Sequence, residues 1–236
     1  MEIYQQITRA KLANKKLLAV LLDPDKLPLE KVGLLVAKIK QSPATHIFVG
    51  GSHVVNDTIG QLIGHIKQQC DLPAILFPGN PSQISAQADG ILFLSLISGR
   101  NPDYLIEHQV NAVPILKKTQ LEIIPTGYLL IESGHETAVS RVSQTQPLDN
   151  NNIDYIVHTA QAGEMLGKKL IYLEAGSGAK YAVAPEIIRA VSQNIEIPLI
   201  VGGGIKNQSG IQLAYDSGAD LVVIGTAFEN NPNFFD

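Results

Sequence analysis

Eight short apolar runs, almost free of polar residues, recur along the chain and limit the folds that it can adopt. A strand exposed on one side alternates polar and apolar residues, whereas a strand in a parallel sheet covered on both faces does not. The runs occupy residues 17–22, 46–49, 74–77, 91–96, 128–131, 170–173, 199–201 and 221–224. Segments with the apolar spacing of a helix lie between most of them, so the pattern predicts alternating buried strands and helices.

Eight strands with intervening helices favour a (β/α)8 TIM barrel over an open doubly wound sheet, which usually has about five to seven strands. We expect one barrel domain over residues 1–236, because no linker or low-complexity segment separates two cores. The segment 78–89 is too short for a full covering helix with two loops, so the third helix should be reduced or missing. The polar segment 132–148 is a candidate lid.

Charge and cysteine content exclude several classes of protein. The chain has 18 Lys and Arg against 22 Asp and Glu, a formal net charge of −4, which offers no basic surface for nucleic acid. The single cysteine, Cys70, cannot form an internal disulfide, and Arg9 and Lys11 make the N-terminus unlike a signal peptide. No apolar run approaches the length of a membrane span. We therefore expect a cytoplasmic protein with no transmembrane segment.

Glycine-rich turns follow the seventh and eighth runs. Gly202, Gly203 and Gly204 end the seventh, and Gly225 with Thr226 ends the eighth. Loops after strands seven and eight are the usual phosphate site of a (β/α)8 barrel, where glycine turns expose backbone N–H groups. The sequence therefore predicts a phosphorylated small-molecule ligand.

The sixth run carries the strongest candidate for a general base. Tyr172 and Glu174 are two residues apart, so both should point into the barrel. A carboxylate at the barrel mouth is unfavourable unless it binds something. We therefore predict that Glu174 takes part in the chemistry.

The first two runs end in residues that suit a cation. Asp23-Pro24-Asp25-Lys26 follows the first run, and Ser52 follows a pair of glycines after the second. Carboxylate oxygens can hold a hard cation, although a plain turn before a capped helix explains the first segment equally well. The histidines show no zinc-binding spacing, and Cys70 is expected to serve packing.

Taken together, these strand ends resemble the geranylgeranylglyceryl phosphate synthase family, which includes bacterial heptaprenylglyceryl phosphate synthases. The resemblance implies a modified barrel and a magnesium-dependent prenyltransferase. Such an enzyme joins a polyprenyl diphosphate, here expected to be geranylgeranyl diphosphate, to the 3-hydroxyl of sn-glycerol 1-phosphate and releases diphosphate. This is the first step of ether-lipid synthesis. The segments that carry the resemblance are 22–26, 49–52, 98–102, 172–178, 202–206 and 225–226.

The same resemblance implies roles for individual residues. Asp23 and Ser52 should bind Mg²⁺, Glu174 should accept the proton, and Tyr172 should orient the glycerol. Arg100 is a further candidate for contact with diphosphate, whereas Lys180 and Lys206 receive no role. The implied glycerol phosphate site consists of Tyr172, Leu173, Glu174, Ala175, Gly176, Ser177, Gly178, Gly203, Gly204, Gly225 and Thr226.

Several alternatives stay open at this point. A missing third helix would give a polyprenyl chain a groove out of the barrel, but an ordinary short connection explains the same residues. We expect a homo-oligomer, and release of a lipid product leaves room for a peripheral membrane contact. The competing functions are another phosphate-binding barrel enzyme, such as an isomerase or lyase, and a non-catalytic binding barrel.

Overall fold

A closed barrel of eight parallel strands forms the centre of the computed structural model, which describes residues 2–51 and 58–235. Each strand pairs with the next in the chain, and β1 pairs with β8 to close the ring. This confirms the predicted (β/α)8 barrel. The strands are β1 Leu17–Leu22, β2 His46–Val49, β3 Ala74–Leu76, β4 Gly90–Leu96, β5 Glu122–Leu130, β6 Leu170–Glu174, β7 Leu199–Gly202 and β8 Leu221–Ile224.

Helices cover the outside of the barrel between most strands. The segment between β3 and β4 is fully described and contains only one 3-10 turn, Pro81–Gln83, as predicted for the missing third covering helix. A π-helical turn, Asp103–Glu107, leads directly into the fourth helix. The helices are α1 Ile3–Leu12, α2 Leu29–Gln41, α3 Ile59–Lys67, α4 His108–Leu116, α5 Ala138–Ser143, α6 Ile153–Met165, α7 Pro185–Ser192, α8 Gln208–Asp216 and α9 Thr226–Asn230. None of the helices in the described ranges is long and apolar enough to cross a membrane.

Two apolar layers explain why the strands carry unbroken apolar runs. Alternate strand residues such as Phe48 and Tyr172 fill the barrel interior. Their neighbours, such as Ile47 and Leu173, point outwards and pack under the helices. Because both faces of every strand are covered, apolar side chains are favoured at successive positions.

The N-terminal end of the barrel is closed by α1, which the apolar runs did not predict. Ile3, Ile7 and Ala10 of α1 are buried in the same cluster as the interior strand residues. The Glu122 carboxylate accepts hydrogen bonds from the backbone N–H groups of Ile3 and Tyr4 at the start of this helix. A negative charge at a helix N-terminus is favourable, so Glu122 fixes α1 as the floor of the barrel.

The fifth strand is longer than predicted. It begins at Glu122 rather than near Tyr128, although it contains Pro125 and Gly127, which read as strand-breaking residues. Pairing with β4 extends from Glu122 to Tyr128. The Pro125 carbonyl still accepts from the Lys169 N–H at 2.7 Å, so proline removes a donor here without ending the strand.

Candidate active site

A cavity of about 700 Å³ lies at the C-terminal ends of the strands, at the mouth of the barrel. We call it the mouth cavity. Residues predicted from four separate strand ends meet there, as expected if the C-terminal ends of a barrel carry the chemistry. The predicted residues in its lining are Asp23, Tyr172, Glu174, Gly176, Ser177, Gly178, Gly203, Gly204, Gly225 and Thr226.

Three predicted site residues are not among the described residues that line the mouth cavity. Leu173 and Ala175 are fully buried in the outer apolar layer, because strand alternation turns them away from Tyr172 and Glu174. Ser52 lies outside the described residues, so its predicted role as a metal ligand stays a prediction. Its neighbour Gly51 lies against the Asp23 carboxylate, because a Cβ atom on Gly51 would stand 3.1 Å from Asp23 Oδ1.

Glu174 is a buried carboxylate at the bottom of the mouth cavity. Its side chain is at the end of β6, 5% exposed, and Oε1 accepts a hydrogen bond of 2.7 Å from the Gly176 N–H. Burial raises the pKa of Glu174 to about 7, although the hydrogen bond from Gly176 opposes this rise. A carboxyl group with such a pKa exchanges a proton readily near neutral pH, which suits a general base.

Tyr172 lies directly below Glu174 within an aromatic cluster. Its ring stacks on Phe77 at 5.3 Å and meets the edge of Tyr128 at 5.3 Å. The Tyr172 hydroxyl is buried close to the Glu174 carboxylate, and it makes no hydrogen bond of normal geometry among the described residues. Burial, reinforced by the charge of Glu174, raises the pKa of Tyr172 well above its usual value, so its proton stays available for donation to a ligand.

Glycines at the end of β7 are required by the close approach of these two side chains. A Cβ atom on Gly202 would lie 2.3 Å from the Tyr172 hydroxyl oxygen. A Cβ atom on Gly203, which has a φ of +80°, would lie 2.2 Å from Glu174 Oε1. The glycine run therefore shapes the pocket around Glu174 as well as offering backbone donors.

The three predicted phosphate loops converge on one side of the mouth cavity. Gly176, Gly178 and Gly204 have positive φ angles, the backbone form that turns successive N–H groups into an anion-binding concavity. The Ser177 and Thr226 hydroxyl oxygens stand 3.5 Å apart, so the loops after β6 and β8 touch. This part of the cavity can hold a phosphate through backbone N–H and hydroxyl groups.

A charged cluster lies on the β1 side of the mouth cavity, next to the loop after β8. The Lys26 ammonium nitrogen is 3.0 Å from Asp23 Oδ2, and the Asp23 N–H donates to Glu229 Oε1 at 3.0 Å. Within residues 2–51 and 58–235, no group of three His, Cys, Asp or Glu side chains is arranged to hold a metal ion. Asp23 thus offers a single carboxylate.

An apolar groove of about 100 Å³ continues from the mouth cavity into the place where a covering helix between β3 and β4 would lie. The two spaces share Gly51, Phe77, Tyr128, Val139 and Val142. Beyond them the groove runs between the 3-10 turn and α4 and is lined by Pro81, Ile84, Ile91, Tyr104, His108 and Ala112. The predicted side opening is therefore present and apolar.

Basic side chains that the motifs did not assign also face the mouth cavity. His135 and Arg141 come from the segment predicted as a lid, which contains α5, and Lys180 and Lys206 come from the loops after β6 and β7. Arg100 does not line the cavity, because its guanidinium donates to the carbonyls of residues 97 and 99 and to the Tyr155 hydroxyl. The only sequence feature that could have pointed to Arg141 was its position within the polar segment 132–148.

Comparison with known proteins agrees with this geometry. The sequence pattern of the PcrB family matches residues 7–236. The chain belongs to the PcrB family. Among curated proteins, this PcrB-family chain is 66% identical to a geranylgeranylglyceryl phosphate synthase from Flavobacterium johnsoniae, over 99% of this chain and 96% of that protein. It is 39% identical to a protein of the same name from Korarchaeum cryptofilum, over 94% of this chain and 91% of that one.

Solved structures extend the likeness of this PcrB-family chain to three dimensions. It superposes on (S)-3-O-geranylgeranylglyceryl phosphate synthase from Thermoplasma acidophilum, a complex with its substrate sn-glycerol-1-phosphate. The TM-score is 0.93 at 32% identity, over 100% of this chain and 94% of that one. A tryptophan synthase alpha-subunit from Pyrococcus furiosus reaches 0.59 at 12% identity, over 91% and 88% of the two chains, which shows a shared fold alone. The family resemblance inferred from the motifs is confirmed.

Proposed function

We propose that this chain is a prenyltransferase that joins a polyprenyl diphosphate to the 3-hydroxyl of sn-glycerol 1-phosphate. One observation carries the proposal: the buried Glu174 carboxylate lines a phosphate-type cavity that continues into an apolar groove. The two substrates match these two spaces, because sn-glycerol 1-phosphate carries a phosphate and the prenyl diphosphate carries a long hydrocarbon chain. Relatives named geranylgeranylglyceryl phosphate synthase confirm the predicted function.

The phosphate loops would place the glycerol next to Glu174. A phosphate bound at residues 176–178, 203–204 and 225–226 leaves its glycerol hydroxyls pointing at the floor of the cavity, where Glu174 and Tyr172 lie. The buried Tyr172 hydroxyl then gains the partner that it otherwise lacks. Binding of the glycerol thus satisfies two groups that the folded chain leaves poorly solvated.

Glu174 is proposed to remove the proton of the attacking hydroxyl. The oxygen of the 3-hydroxyl forms a bond to the first carbon of the prenyl chain, and the bond from that carbon to the diphosphate oxygen breaks. The diphosphate leaves with the electron pair, and the hydroxyl proton passes to a carboxylate oxygen of Glu174. A pKa of about 7 allows Glu174 to be ionised before reaction and protonated afterwards.

The apolar groove is proposed to receive the prenyl chain. Phe77 and Tyr128 stand at the junction of the groove with the mouth cavity, so the first prenyl unit would pass over their rings. The groove volume of about 100 Å³ suits only the units next to the diphosphate. The distal units would therefore continue outwards along α4.

The residues present fit magnesium as an ion that enters with the diphosphate. Mg²⁺ is usually held by about one or two carboxylates together with substrate phosphates and water, which matches the single carboxylate of Asp23. Asp23, with Ser52 as predicted, would hold the ion, and when bound it supplies positive charge to the leaving group. Cytoplasmic location and homo-oligomer formation stay predictions from the sequence.

A transfer assay tests the proposed function directly. The protein is incubated with labelled sn-glycerol 1-phosphate and prenyl diphosphates of increasing length, with and without magnesium. We expect a lipid-soluble labelled product only when a prenyl diphosphate and magnesium are both present. The enantiomer, sn-glycerol 3-phosphate, is the matched control and should react far more slowly. Phosphate binding without product under every condition would instead favour a different barrel enzyme or a binding protein.

A further inference from the structure

Glu229, at the far end of the chain from Asp23, is tied to the Asp23 loop by two contacts. Its Oε1 accepts from the Asp23 N–H at 3.0 Å, and its Oε2 is 3.9 Å from the Lys26 ammonium nitrogen. The Glu229 side chain is 12% exposed, whereas that of Lys26 is 50% exposed. The carboxylate is therefore fixed in the wall, while the ammonium group reaches the cavity.

Lys26 is shared between two carboxylates. It lies 3.0 Å from Asp23 Oδ2, the carboxylate predicted to bind the cation, and it also faces Glu229. If a metal ion takes the Asp23 oxygens, Lys26 loses that partner, but the Glu229 charge still holds it at the cavity wall.

The position of Lys26 sets it apart from the other basic side chains of the mouth cavity. His135, Arg141, Lys180 and Lys206 come from the loops after β5, β6 and β7. Among the described basic residues of the lining, Lys26 alone comes from the side of β1. β1 lies between β8, which ends at a phosphate loop, and β2, whose following residue Gly51 also lines the apolar groove. Because Gly51 lies against the Asp23 carboxylate that Lys26 contacts, Lys26 stands between the phosphate loops and the groove.

We propose that Lys26 contacts the diphosphate group of the prenyl substrate and that Glu229 is the positioning residue that holds Lys26 there. The assignment rests on the proposed function, because it requires a diphosphate ligand. An ammonium group beside the departing diphosphate offsets the charge that builds on it, in addition to any metal ion. Glu229 also fixes the backbone of Asp23, so one carboxylate organises both positive contacts of the leaving group.

Calorimetric titration with inorganic diphosphate, in the presence of magnesium, tests this assignment on the full chain. Lys26→Met should weaken diphosphate binding about tenfold to hundredfold, the range for losing one charged hydrogen bond. Glu229→Gln keeps an acceptor for the Asp23 N–H but loses the charge that holds Lys26, so a smaller weakening is expected. Affinity for sn-glycerol 1-phosphate should stay unchanged in both variants.

The double variant separates positioning from a general loss of structure. If Glu229 acts through Lys26, the double variant should bind diphosphate no more weakly than Lys26→Met alone. Lys31→Met, on the exposed start of α2, is the matched control for net charge and should bind as wild type. Unchanged diphosphate affinity in Lys26→Met, or equal loss for both ligands, would overturn the assignment. A wild-type chain that binds no diphosphate would overturn the proposed function and the assignment together.

Discussion

The two ends of the barrel treat buried carboxylates in opposite ways. At the closed end, Asp220 Oδ2 accepts from the Lys11 ammonium and from the Leu199 N–H, both at 2.9 Å. At the open end, the Glu174 carboxylate receives one backbone hydrogen bond and no cationic partner among the described residues. A carboxylate supplied with donors stabilises a fold, whereas one left short of them is held ready for a ligand.

Replacing Glu174 by glutamine should have the largest effect on activity. Glu174→Gln keeps the acceptor for the Gly176 N–H but removes the proton acceptor, so the transfer rate should fall by roughly 10² to 10⁴. Affinity for sn-glycerol 1-phosphate should change little. Single-turnover kinetics and calorimetry measure the two effects. A variant with wild-type rates from about pH 6 to 9 would leave proton removal to water or to the released diphosphate.

A side chain in the glycine turn after β7 should weaken ligand binding, in addition to straining the backbone. Gly204 has a φ of +69°, and a Cβ atom there would stand 2.7 Å from both the Ala182 nitrogen and the Tyr181 oxygen. Gly204→Ala should therefore displace the phosphate loop and weaken binding of sn-glycerol 1-phosphate by about tenfold to hundredfold.

Gly167, at the end of α6, is the matched control for this substitution. It has a φ of +85°, but no other atom lies within 4 Å of the position a Cβ would take. Gly167→Ala should lose about 1 to 2 kcal/mol of stability from its backbone alone and bind ligand normally. Equal ligand affinity in the two alanine variants would remove the phosphate role of Gly204.

At the closed end, the same carboxylate-to-amide change should affect stability and spare activity. Asp220→Asn removes the charge that pairs with Lys11, although the amide oxygen can still accept from the Leu199 N–H. The free energy of unfolding should fall by about 1 to 3 kcal/mol, measured with urea. The value of kcat/KM should stay within a factor of about two of wild type. A stable but inactive Asp220→Asn protein would contradict the division between the two ends.

Local sequence pattern was enough to predict the barrel and the buried carboxylate at its mouth. Unbroken apolar runs follow from strands covered on both faces, and the two-residue spacing of Tyr172 and Glu174 follows from the pleat. The same spacing turns the Leu173 and Ala175 side chains into the outer apolar layer, so a ligand role for these two residues stays a prediction. The fifth strand was predicted too short because its unbroken apolar run begins only at Tyr128, whereas the strand begins at Glu122.

Contacts between distant parts of the chain could not be predicted from the sequence pattern. Glu229 contacts Lys26 and the Asp23 backbone only because closure of the barrel brings β8 beside β1. Helix α1 finds its partners only once the strands form the interior that Ile3 and Ile7 enter. Such contacts depend on tertiary packing, which local propensity does not encode.

The prediction most specific to Glu174 concerns the dependence of stability on pH. Because the pKa of Glu174 rises from an ordinary 4.5 to about 7 on folding, the folded chain binds more protons than the unfolded chain between these values. Stability contributed by this group is therefore present below about pH 4.5 and is lost as pH rises to about 7, by at most about 1.4 kcal/mol per pH unit.

Comparison of wild type with Glu174→Gln isolates this contribution, because all other titrating groups are shared. Wild type should become less stable relative to the variant between about pH 5 and 7, while its kcat/KM rises over the same interval as the base ionises. Asp220→Asn should show neither trend relative to wild type. The open end thus exchanges stability for reactivity as the pH passes the pKa of Glu174, and parallel stability curves for wild type and Glu174→Gln would show that no such exchange exists.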